Sequence, residues 1–357
     1  MKIGIFATPE GYERSIVEAC KELDVQYEII GIFSHDWIQQ FEKADCDGYI
    51  IRPPTKTSLW RATFLNRILL IKDRIENKCV PDIESILYYE SKIMMLDFYK
   101  LNELPHVPSN TFFNLKEALK YAKSTKTFPK MVKSDGGSGS LGVKKINSRS
   151  NLIFQIYKSF FTGNIFRGFH SPADFNVYIK TYIKPLWMYF KKMRRSFYPY
   201  SERSQGYIHI QEFLQMKTEW RIIKIGESYF GLRKAKGKNG LRSGSGSRGD
   251  WTDPPKEILN LVKEWCERLN ISTMSFDIFE DMDGEYLINE MQVCFGTISP
   301  SQMYINGVPG RYVHVGGKWV FDEGEYCRFN CNLLRIELLK EILYGKESLK
   351  PLAMLNN

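Results

Sequence analysis

Two apolar runs on either side of an acidic turn place the strongest constraint on the fold of this chain. Met274–Glu280 and Glu285–Val293 are rich in β-branched and aromatic residues, as buried strands are, and Asp281-Met-Asp-Gly284 separates them. Because Asp283-Gly284 suits the two central positions of a type I′ turn, the two runs are predicted to form a β-hairpin. The chain must therefore contain an antiparallel sheet with this hairpin in its core.

The register of the hairpin brings two carboxylates together. With Asp283-Gly284 at the centre of the turn, paired residues have numbers that sum to 567, so Asp277 faces Glu290. Directly opposed side chains lie ~5 Å apart at Cβ, and like charges there repel each other. A divalent cation would remove this repulsion, and Gln292 on the same strand face offers an amide oxygen, which magnesium accepts as a ligand. From these residues alone, a solvated pair of carboxylates is an equally good interpretation.

The first part of the chain alternates strand and helix patterns. Lys2–Ala7, Gln26–Phe33 and Gly48–Ile51 are strand-like, while Tyr12–Leu23 and Asp36–Lys43 show helical periodicity. This alternation predicts a parallel α/β layer over about the first 100 residues. The turn after the first strand lacks a GxGxxG pattern, so no dinucleotide site is expected there.

A glycine- and serine-rich turn follows the strand-like segment Lys130–Lys133. Neither a helical pattern nor a GK[ST] sequence comes after it, which argues against a P-loop. Its backbone N–H groups could still fold over phosphates, with the ammonium group of Lys133 beside them. The alternative interpretation is a hairpin tip that binds nothing. The turn comprises Gly137, Ser138, Gly139, Ser140 and Leu141.

Taken in order along residues 89–293, these segments resemble the ATP-grasp superfamily, including enzymes such as the ribosomal-protein glutamate ligases, D-alanine–D-alanine ligase and glutathione synthetase. The resemblance implies an α/β (α+β) fold of the ATP-grasp type. An N-terminal parallel α/β domain would be followed by two α+β subdomains that enclose a nucleotide. The corresponding boundaries are 1–103 for the first domain, 104–210 for the lid subdomain and 211–357 for the C-terminal subdomain.

The resemblance also assigns nucleotide-binding roles to residues in the middle of the chain. Lys92 and Lys133 match two lysines that contact phosphates, and the turn at 137–141 matches the lid loop. Glu219 matches the residue that binds the ribose hydroxyls. The segment that matches the adenine-binding connection comprises Gln211, Glu212, Phe213 and Leu214.

The implied cofactors are ATP and two Mg²⁺ ions, for which Mn²⁺ can substitute. Asp277 and Glu290 match the paired metal carboxylates, with Gln292 in place of the usual asparagine. In the implied reaction a carboxylate attacks the γ-phosphate, and an amine then converts the acyl phosphate into an amide, so that ADP and phosphate are released. Arg233 and Arg242 are candidate catalytic residues that neutralise the developing charge. Alternatively, these two arginines belong to a basic surface loop.

Charge and composition narrow the choice of partners. The chain has 50 basic and 41 acidic side chains and a formal charge of +9, which favours anionic partners. An insert at about 163–205 is basic and aromatic, most clearly over 166–203. One interpretation is an elaborated lid, and another is a peripheral membrane contact. Nucleic acid is disfavoured because no binding motif is present. The expected substrates are carboxylates and amines that are small molecules or linked to a glycan.

The expected location of the protein is inferred from two features that the sequence lacks, a membrane span and a CxxC pair. No run approaches the ~20 apolar residues of a membrane span, and the seven dispersed cysteines contain no CxxC pair. A cytoplasmic protein is expected, and any membrane contact would be at the inner face. The oligomeric state is left open. The alternative function is an ATP-grasp nucleotide-binding or phosphotransfer protein of a cell-surface polysaccharide pathway that forms no amide.

Overall fold

A computed structural model describes most of the chain, which falls into two compact units. The described residues are 1–55, 57–136, 142–167, 202–234, 250–295 and 302–345. The larger unit comprises Met1–Tyr89, Asp97–His106 and Gln215–Asn357, and the smaller comprises Glu90–Leu96 and Val107–Leu214. Helix α6 (Lys92–Leu101) therefore begins in the smaller unit and ends in the larger one.

The larger unit begins with a parallel α/β layer, as the alternating sequence pattern predicts. Its strands are β1 (Lys2–Phe6), β2 (Gln26–Ile30), β3 (Gly48–Ile50) and β4 (Cys79–Val80). They pair in parallel in the order β2-β1-β3-β4. The helices of this region are α1 (Glu13–Glu22), α2 (Trp37–Ala44), α3 (Ser58–Leu70), α4 (Lys72–Ile75) and α5 (Ile83–Leu87). Ile16, Ala19 and Cys20 of α1 are buried on one face of the helix, as the helical periodicity of Tyr12–Leu23 requires.

The smaller unit is an antiparallel sheet covered by two helices. The strands are β5 (Ser109–Phe112), β6 (Lys130–Lys133), β7 (Val143–Ile146), β8 (Asn164–Arg167), β9 (Glu202–Ser204) and β10 (Ile208–Glu212). The sheet order is β5-β10-β6-β7, and β8 pairs with β9. The helices are α7 (Leu115–Ser124) and α8 (Arg149–Phe161). The side chain of Asn114 accepts hydrogen bonds from two N–H groups at the start of α7 and so caps this helix.

An antiparallel sheet of eight strands completes the larger unit. Its strands are β11 (Met216–Ile225), β12 (Ser228–Lys234), β13 (Asp250–Trp251), β14 (Thr273–Asp281), β15 (Tyr286–Gln292), β16 (Met303–Ile305), β17 (Val308–Val315) and β18 (Lys318–Glu323). The order is β15-β14-β11-β12-β17-β16, with β13 beside β12 and β18 beside β17. Helix α9 (Lys256–Arg268) buries its apolar face, with Trp265 against Phe276 of β14.

The last helix, α10 (Arg328–Tyr344), packs against α1, β3 and β4. Its first residues are not helical, because Phe329, Asn330 and Cys331 have φ angles of 50°, 57° and 62°. Residues other than glycine rarely adopt this left-handed region, so three in succession mark an unusual turn. None of the helices in the described ranges is long and apolar enough to cross a membrane.

Candidate functional site

The predicted pairing of Asp277 with Glu290 is confirmed, although the turn of the hairpin differs from the predicted one. The N–H of Asp281 donates to the carbonyl oxygen of Glu285 at 3.0 Å, which closes a loop of three residues instead of two. That loop alone would shift the register by one residue. Asn289 is an extra residue in β15, a β-bulge, and it restores the predicted pairing.

Two cations hold Asp277, and neither was predicted as a site residue. Arg221 lies directly opposite Asp277 on β11, and its Nε and Nη2 donate to the two carboxylate oxygens at 2.7 and 2.9 Å. The ammonium nitrogen of Lys234 lies 2.6 Å from Oδ2 of Asp277 and 2.6 Å from Oε1 of Glu219. We refer to Glu219, Arg221, Asp277 and Lys234 as the charged cluster.

Burial and neighbouring positive charges shift the pKa values of the two acids of the charged cluster in opposite directions. Burial raises the pKa of Asp277, but Arg221 and Lys234 together outweigh burial and hold this pKa below its ordinary value. Burial also raises the pKa of Glu219, whose side chain is fully buried, and here the opposing effect of Lys234 does not reverse the shift. Asp277 in turn raises the pKa of Arg221. Asp277 is therefore anionic at neutral pH.

The strand register contained the signal that would have identified Lys234. Glu219 lies directly opposite Lys234 in the hairpin of β11 and β12. Periodicity alone does not specify this cross-strand pairing, so the pair was missed. Arg233, one of the two predicted catalytic residues, lies opposite Trp220. Because side chains alternate along a strand, Arg233 lies on the other face of the sheet from the charged cluster.

Glu290 and Gln292 lie next to the charged cluster on β15. The side-chain N–H of Gln292 donates to Oε1 of Glu290 at 2.7 Å, which fixes the orientation of the amide. Its carbonyl oxygen Oε1 is then buried and accepts no hydrogen bond within the described residues, and the same holds for Oε2 of Glu219. Buried acceptors are normally satisfied, so these two atoms favour a bound cation or donor.

The donor atoms fit magnesium in kind, since Asp277, Glu290 and Gln292 offer carboxylate and amide oxygens. Among the described residues, no group of three or more His, Cys, Asp or Glu side chains is arranged to hold a metal. Both oxygens of Asp277 already accept from Arg221 or Lys234. An ion bound through Asp277 would therefore replace one of these contacts.

In the smaller unit, hydrogen bonds of Asp135 connect the segment that contains Lys92 to the end of the strand that contains Lys133. Its Oδ1 accepts from the Ser91 hydroxyl at 2.8 Å and from the Ile93 N–H at 2.9 Å. The N–H of Lys92 donates to the Asp135 carbonyl oxygen at 3.3 Å. Because Lys133 precedes Asp135 by two residues, the start of α6 and the end of β6 lie together.

The predicted adenine-binding segment is fixed by a lysine that was not predicted. Lys130 is almost wholly buried, and its Nζ lies 2.5 and 2.6 Å from the two carboxylate oxygens of Glu212. The Tyr121 hydroxyl donates to the same carboxylate at 3.1 Å. The ammonium group of Lys145 lies 4.2 Å from the ring centre of Phe213. Glu212 therefore holds the segment Gln211–Leu214 in place through its contacts within the smaller unit.

Several predictions fall outside the described residues and stay predictions. They concern the loop formed by Gly137, Ser138, Gly139, Ser140 and Leu141, the catalytic role of Arg242, and most of the basic insert at 166–203.

Comparisons with known proteins identify the fold. No model of a protein family matches the chain, and no curated protein does. Among solved structures, N5-carboxyaminoimidazole synthetase from Staphylococcus aureus superposes with a TM-score of 0.52 and 12% identity, over 94% of this chain and 77% of that one. An Aspergillus clavatus carboxyaminoimidazole ribonucleotide synthase complexed with ATP gives 0.52 and 10%, over 88% and 81%.

A third solved structure is the biotin carboxylase domain of 2-oxoglutarate carboxylase from Hydrogenobacter thermophilus, with MgADP, ADP and bicarbonate. It gives a TM-score of 0.51 and 13% identity, over 84% of this chain and 65% of that one. These identities are too low to carry substrates or residue roles from one protein to another. The chain has the ATP-grasp fold, as its motifs predict.

Proposed function

Starting from this fold, we propose that the protein is an ATP-dependent ligase that activates a carboxylate and joins it to an amine, with release of ADP and phosphate. The observation that carries the proposal is the charged cluster beside Glu290, since it combines acids suited to a metal ion with cations suited to phosphate oxygens. Solved structures that share the fold contain ATP in one case, and MgADP with bicarbonate in another, which supports the choice of nucleotide.

Asp277, Glu290 and Gln292 would hold the magnesium that accompanies ATP, and two such ions, replaceable by manganese, are part of the proposal. When bound, the metal neutralises phosphate charge and orients the phosphoryl group. Oε1 of Gln292 accepts no hydrogen bond from the described part of the chain, which supports its assignment as a ligand, because such an oxygen is available to a cation.

Arg221 and Lys234 would stabilise negative charge during transfer of the phosphoryl group. Lys234 is buried, so its charge acts in a medium of low dielectric constant, where electrostatic interactions are strong. The side chain of Arg221 is 34% exposed, which leaves part of the guanidinium accessible to a ligand. Their contacts with Asp277 also keep that carboxylate ionised and fixed in position.

In the smaller unit, Lys92 and Lys133 would contact phosphates, and the segment Gln211–Leu214 would contact the adenine. Glu219 in the larger unit would bind the ribose hydroxyls through Oε2, which has no hydrogen-bond partner within the described ranges. The proposed acceptors are carboxylates and amines that are small molecules or linked to a glycan. A membrane contact through 166–203 would fit an acceptor at the membrane surface.

One observation favours a second candidate, a nucleotide-binding protein without ligase chemistry. Both carboxylate oxygens of Asp277 are occupied by protein cations, an arrangement that would stabilise the sheet with no metal ion present. In this case ATP would bind without being consumed.

Trapping with hydroxylamine separates the two candidates, because this amine converts an acyl phosphate into a hydroxamate. The purified protein would be incubated with ATP, magnesium, hydroxylamine and pooled carboxylates. We expect hydroxamate from the wild-type protein and about 100-fold less from Asp277→Asn, the usual scale for loss of a preorganised charge. Glu280→Gln is the matched control, since Glu280 lies on the same strand but pairs with Lys217. ATP binding with neither hydroxamate nor ADP, over the whole pool, would support the second candidate.

A further inference from the structure

A buried arginine on α10 has no acidic partner among the described residues. Arg335 is 4% exposed, and its Nη1 donates to the carbonyl oxygen of Asn330 at 2.6 Å and to Oδ1 of Asn332 at 3.0 Å. Its Nη2 is buried with no hydrogen-bond partner in the described part of the chain. The Phe295 ring covers one face of the guanidinium, with 4.7 Å between its centre and Cζ.

A second arginine with the same properties lies at the end of β3. Arg52 is 7% exposed, and its buried Nε has no hydrogen-bond partner among the described residues. Its Cζ lies 4.5 Å from the ring centre of Tyr12, so that an aromatic ring covers this guanidinium too. Neither Arg52 nor Arg335 forms an ion pair with a described carboxylate.

The two guanidinium groups are close enough to affect each other. Burial lowers the pKa of Arg335, and the positive charge of Arg52 contributes in the same direction. Cys331 acts in the opposite direction on the pKa of Arg335. Burial raises the pKa of the neighbouring Cys327 thiol well above its ordinary value, so Cys327 supplies no negative charge at neutral pH. Buried cations without anions are strongly unfavourable, so the pair requires a negative charge from elsewhere.

Arg52 lies at the edge where an α/β sheet normally binds ligands. Arg52 follows the carboxyl end of β3, and Tyr12 belongs to the turn after β1, so the two lie at the same edge of the parallel sheet. Ligands of open α/β sheets bind outside this edge. In the turn after β1, the hydroxyl oxygen of Thr8 is also buried without a partner in the described residues.

The backbone just before the regular part of α10 is strained, and it contacts Arg335. The left-handed turn of Phe329, Asn330 and Cys331 precedes the regular part of α10, and the Asn330 carbonyl oxygen accepts from Arg335. Left-handed residues other than glycine are unfavourable and occur preferentially at functional sites. Asn332 also donates to the hydroxyl of Ser15 on α1, which fixes Arg335 relative to the parallel layer.

We propose that Arg52 and Arg335 together bind an oxyanion, a carboxylate or a phosphate monoester, at the carboxyl edge of the parallel sheet. A planar guanidinium presents its N–H groups at its edge and matches such anions with two parallel hydrogen bonds. Tyr12 and Phe295 cover faces of the guanidinium groups and leave the edges to the ligand.

If the protein is a ligase, this oxyanion belongs to its second substrate, and that assignment rests on the proposed function. Phe295 is three residues beyond Gln292, so the two are at most ~10 Å apart along the chain at strand spacing. One small molecule could then reach from the arginines to the carboxylates of the hairpin. The substrate would be an amine or acid with an anionic group distant from the reacting one.

Thermal unfolding with simple anions tests the site without a nucleotide. Inorganic phosphate and succinate are the probes, and chloride at equal ionic strength is the reference. We expect phosphate or succinate to raise the midpoint of the wild-type protein, because a ligand of the folded state stabilises it. Which of the two acts at the lower concentration distinguishes a phosphate ligand from a carboxylate one.

Arg52→Met is the decisive variant, since Arg52 forms no hydrogen bond with the described residues through Nε and should not be needed for folding. The anion concentration that gives half of the maximal shift should be about 30-fold higher or more for this variant. A factor of this size is the smallest loss of affinity expected when one partner of a buried charge pair is removed. Without the anion, the variant should be at least as stable as the wild-type protein, because it no longer buries an uncompensated charge. Arg67→Met is the matched control, because Arg67 also stacks on an aromatic ring, that of Trp37.

No anion-dependent shift in the wild-type protein, or an equal shift in Arg52→Met, would overturn the proposal. Lower stability of Arg52→Met without anions would also contradict it, because the arginine would then have a partner within the protein. The Glu290→Ala variant keeps the result separate from the proposed ligase activity. Its shift with phosphate should equal that of the wild-type protein even if no ATP is consumed.

Discussion

The ammonium nitrogen of Lys234 lies 2.6 Å from Oδ2 of Asp277, and it lies equally close to Oε1 of Glu219. One buried cation thus balances two acids that are themselves at most 5% exposed. Arg221 supplies the second positive charge from the adjacent strand. The cluster therefore depends on Lys234 both for the stability of the sheet and for the charge near Glu290.

Replacing Lys234 should destabilise the larger unit strongly. Lys234→Met leaves Glu219 without its cation in the interior, and such a loss costs about 3–5 kcal/mol of unfolding free energy. Urea denaturation of the variant and the wild-type protein measures the difference. Lys217→Met is the control, because Lys217 is mostly exposed and its pair with Glu280 should contribute less than about 1 kcal/mol. Equal, small losses in both variants would contradict the description of the cluster as a buried unit.

Lys130 should affect ATP affinity although no direct contact with the nucleotide is proposed for it. Lys130→Met removes the contact that fixes Glu212, so the segment Gln211–Leu214 should lose its fixed position. We expect ATP to bind about tenfold more weakly, a cost of about 1.4 kcal/mol. Calorimetric titration measures this, and Lys120→Met, an exposed lysine of α7, should bind as the wild-type protein does.

The hairpin of β14 and β15 shows which part of the site could be predicted from the sequence and which part could not. The pairing of Asp277 with Glu290 was predicted from a two-residue turn, and it is present because the bulge at Asn289 offsets a longer loop. A β-bulge cannot be recognised from a single sequence, so the agreement between the predicted and the observed pairing is partly fortuitous. Arg221 and Lys234 were missed because their contacts with Asp277 depend on the pairing of three strands, which periodicity alone does not specify.

The parallel layer was easier to predict than the C-terminal part. Alternating strands and helices produce a repeated local pattern, and β1, β2 and β3 occur where that pattern places them. By contrast, β16–β18 and α10 were not predicted. The residues before α10 adopt left-handed angles that their types do not favour, so local propensity gives no indication of this turn.

Glu337 on α10 should make stability depend on pH. Burial raises the pKa of Glu337 from 4.5 to about 7, so the folded state holds this proton more tightly than the unfolded state does. The stabilising contribution is complete below the ordinary pKa and is lost as the pH rises through about 7. Glu337→Gln should therefore weaken the fall in thermal midpoint between about pH 5 and pH 8. The control is Glu325→Gln, an exposed glutamate, and identical profiles for both variants would contradict the prediction.

Gln292 should matter for metal binding through its amide oxygen, which accepts no hydrogen bond from the described residues. Gln292→Leu removes this oxygen and also the N–H that donates to Glu290, so we expect a loss of about 1.5 kcal/mol or more of unfolding free energy. If the amide oxygen is a metal ligand, the magnesium concentration for half-maximal ATP consumption should rise about tenfold, the usual scale for weakened ligand sets. Unchanged magnesium dependence would remove Gln292 from the proposed site.

If the proposed function is correct, Glu290 and the charged cluster support the consumption of ATP with magnesium. The most direct measurement is magnesium-dependent ADP release with pooled carboxylates, with and without pooled amines, for the wild-type protein, Glu290→Ala and the Glu280→Gln control. We predict ADP release that requires both pools, is lost in Glu290→Ala and persists in Glu280→Gln. Tight ATP binding without ADP under every condition, or equal release by wild type and Glu290→Ala, would contradict the account.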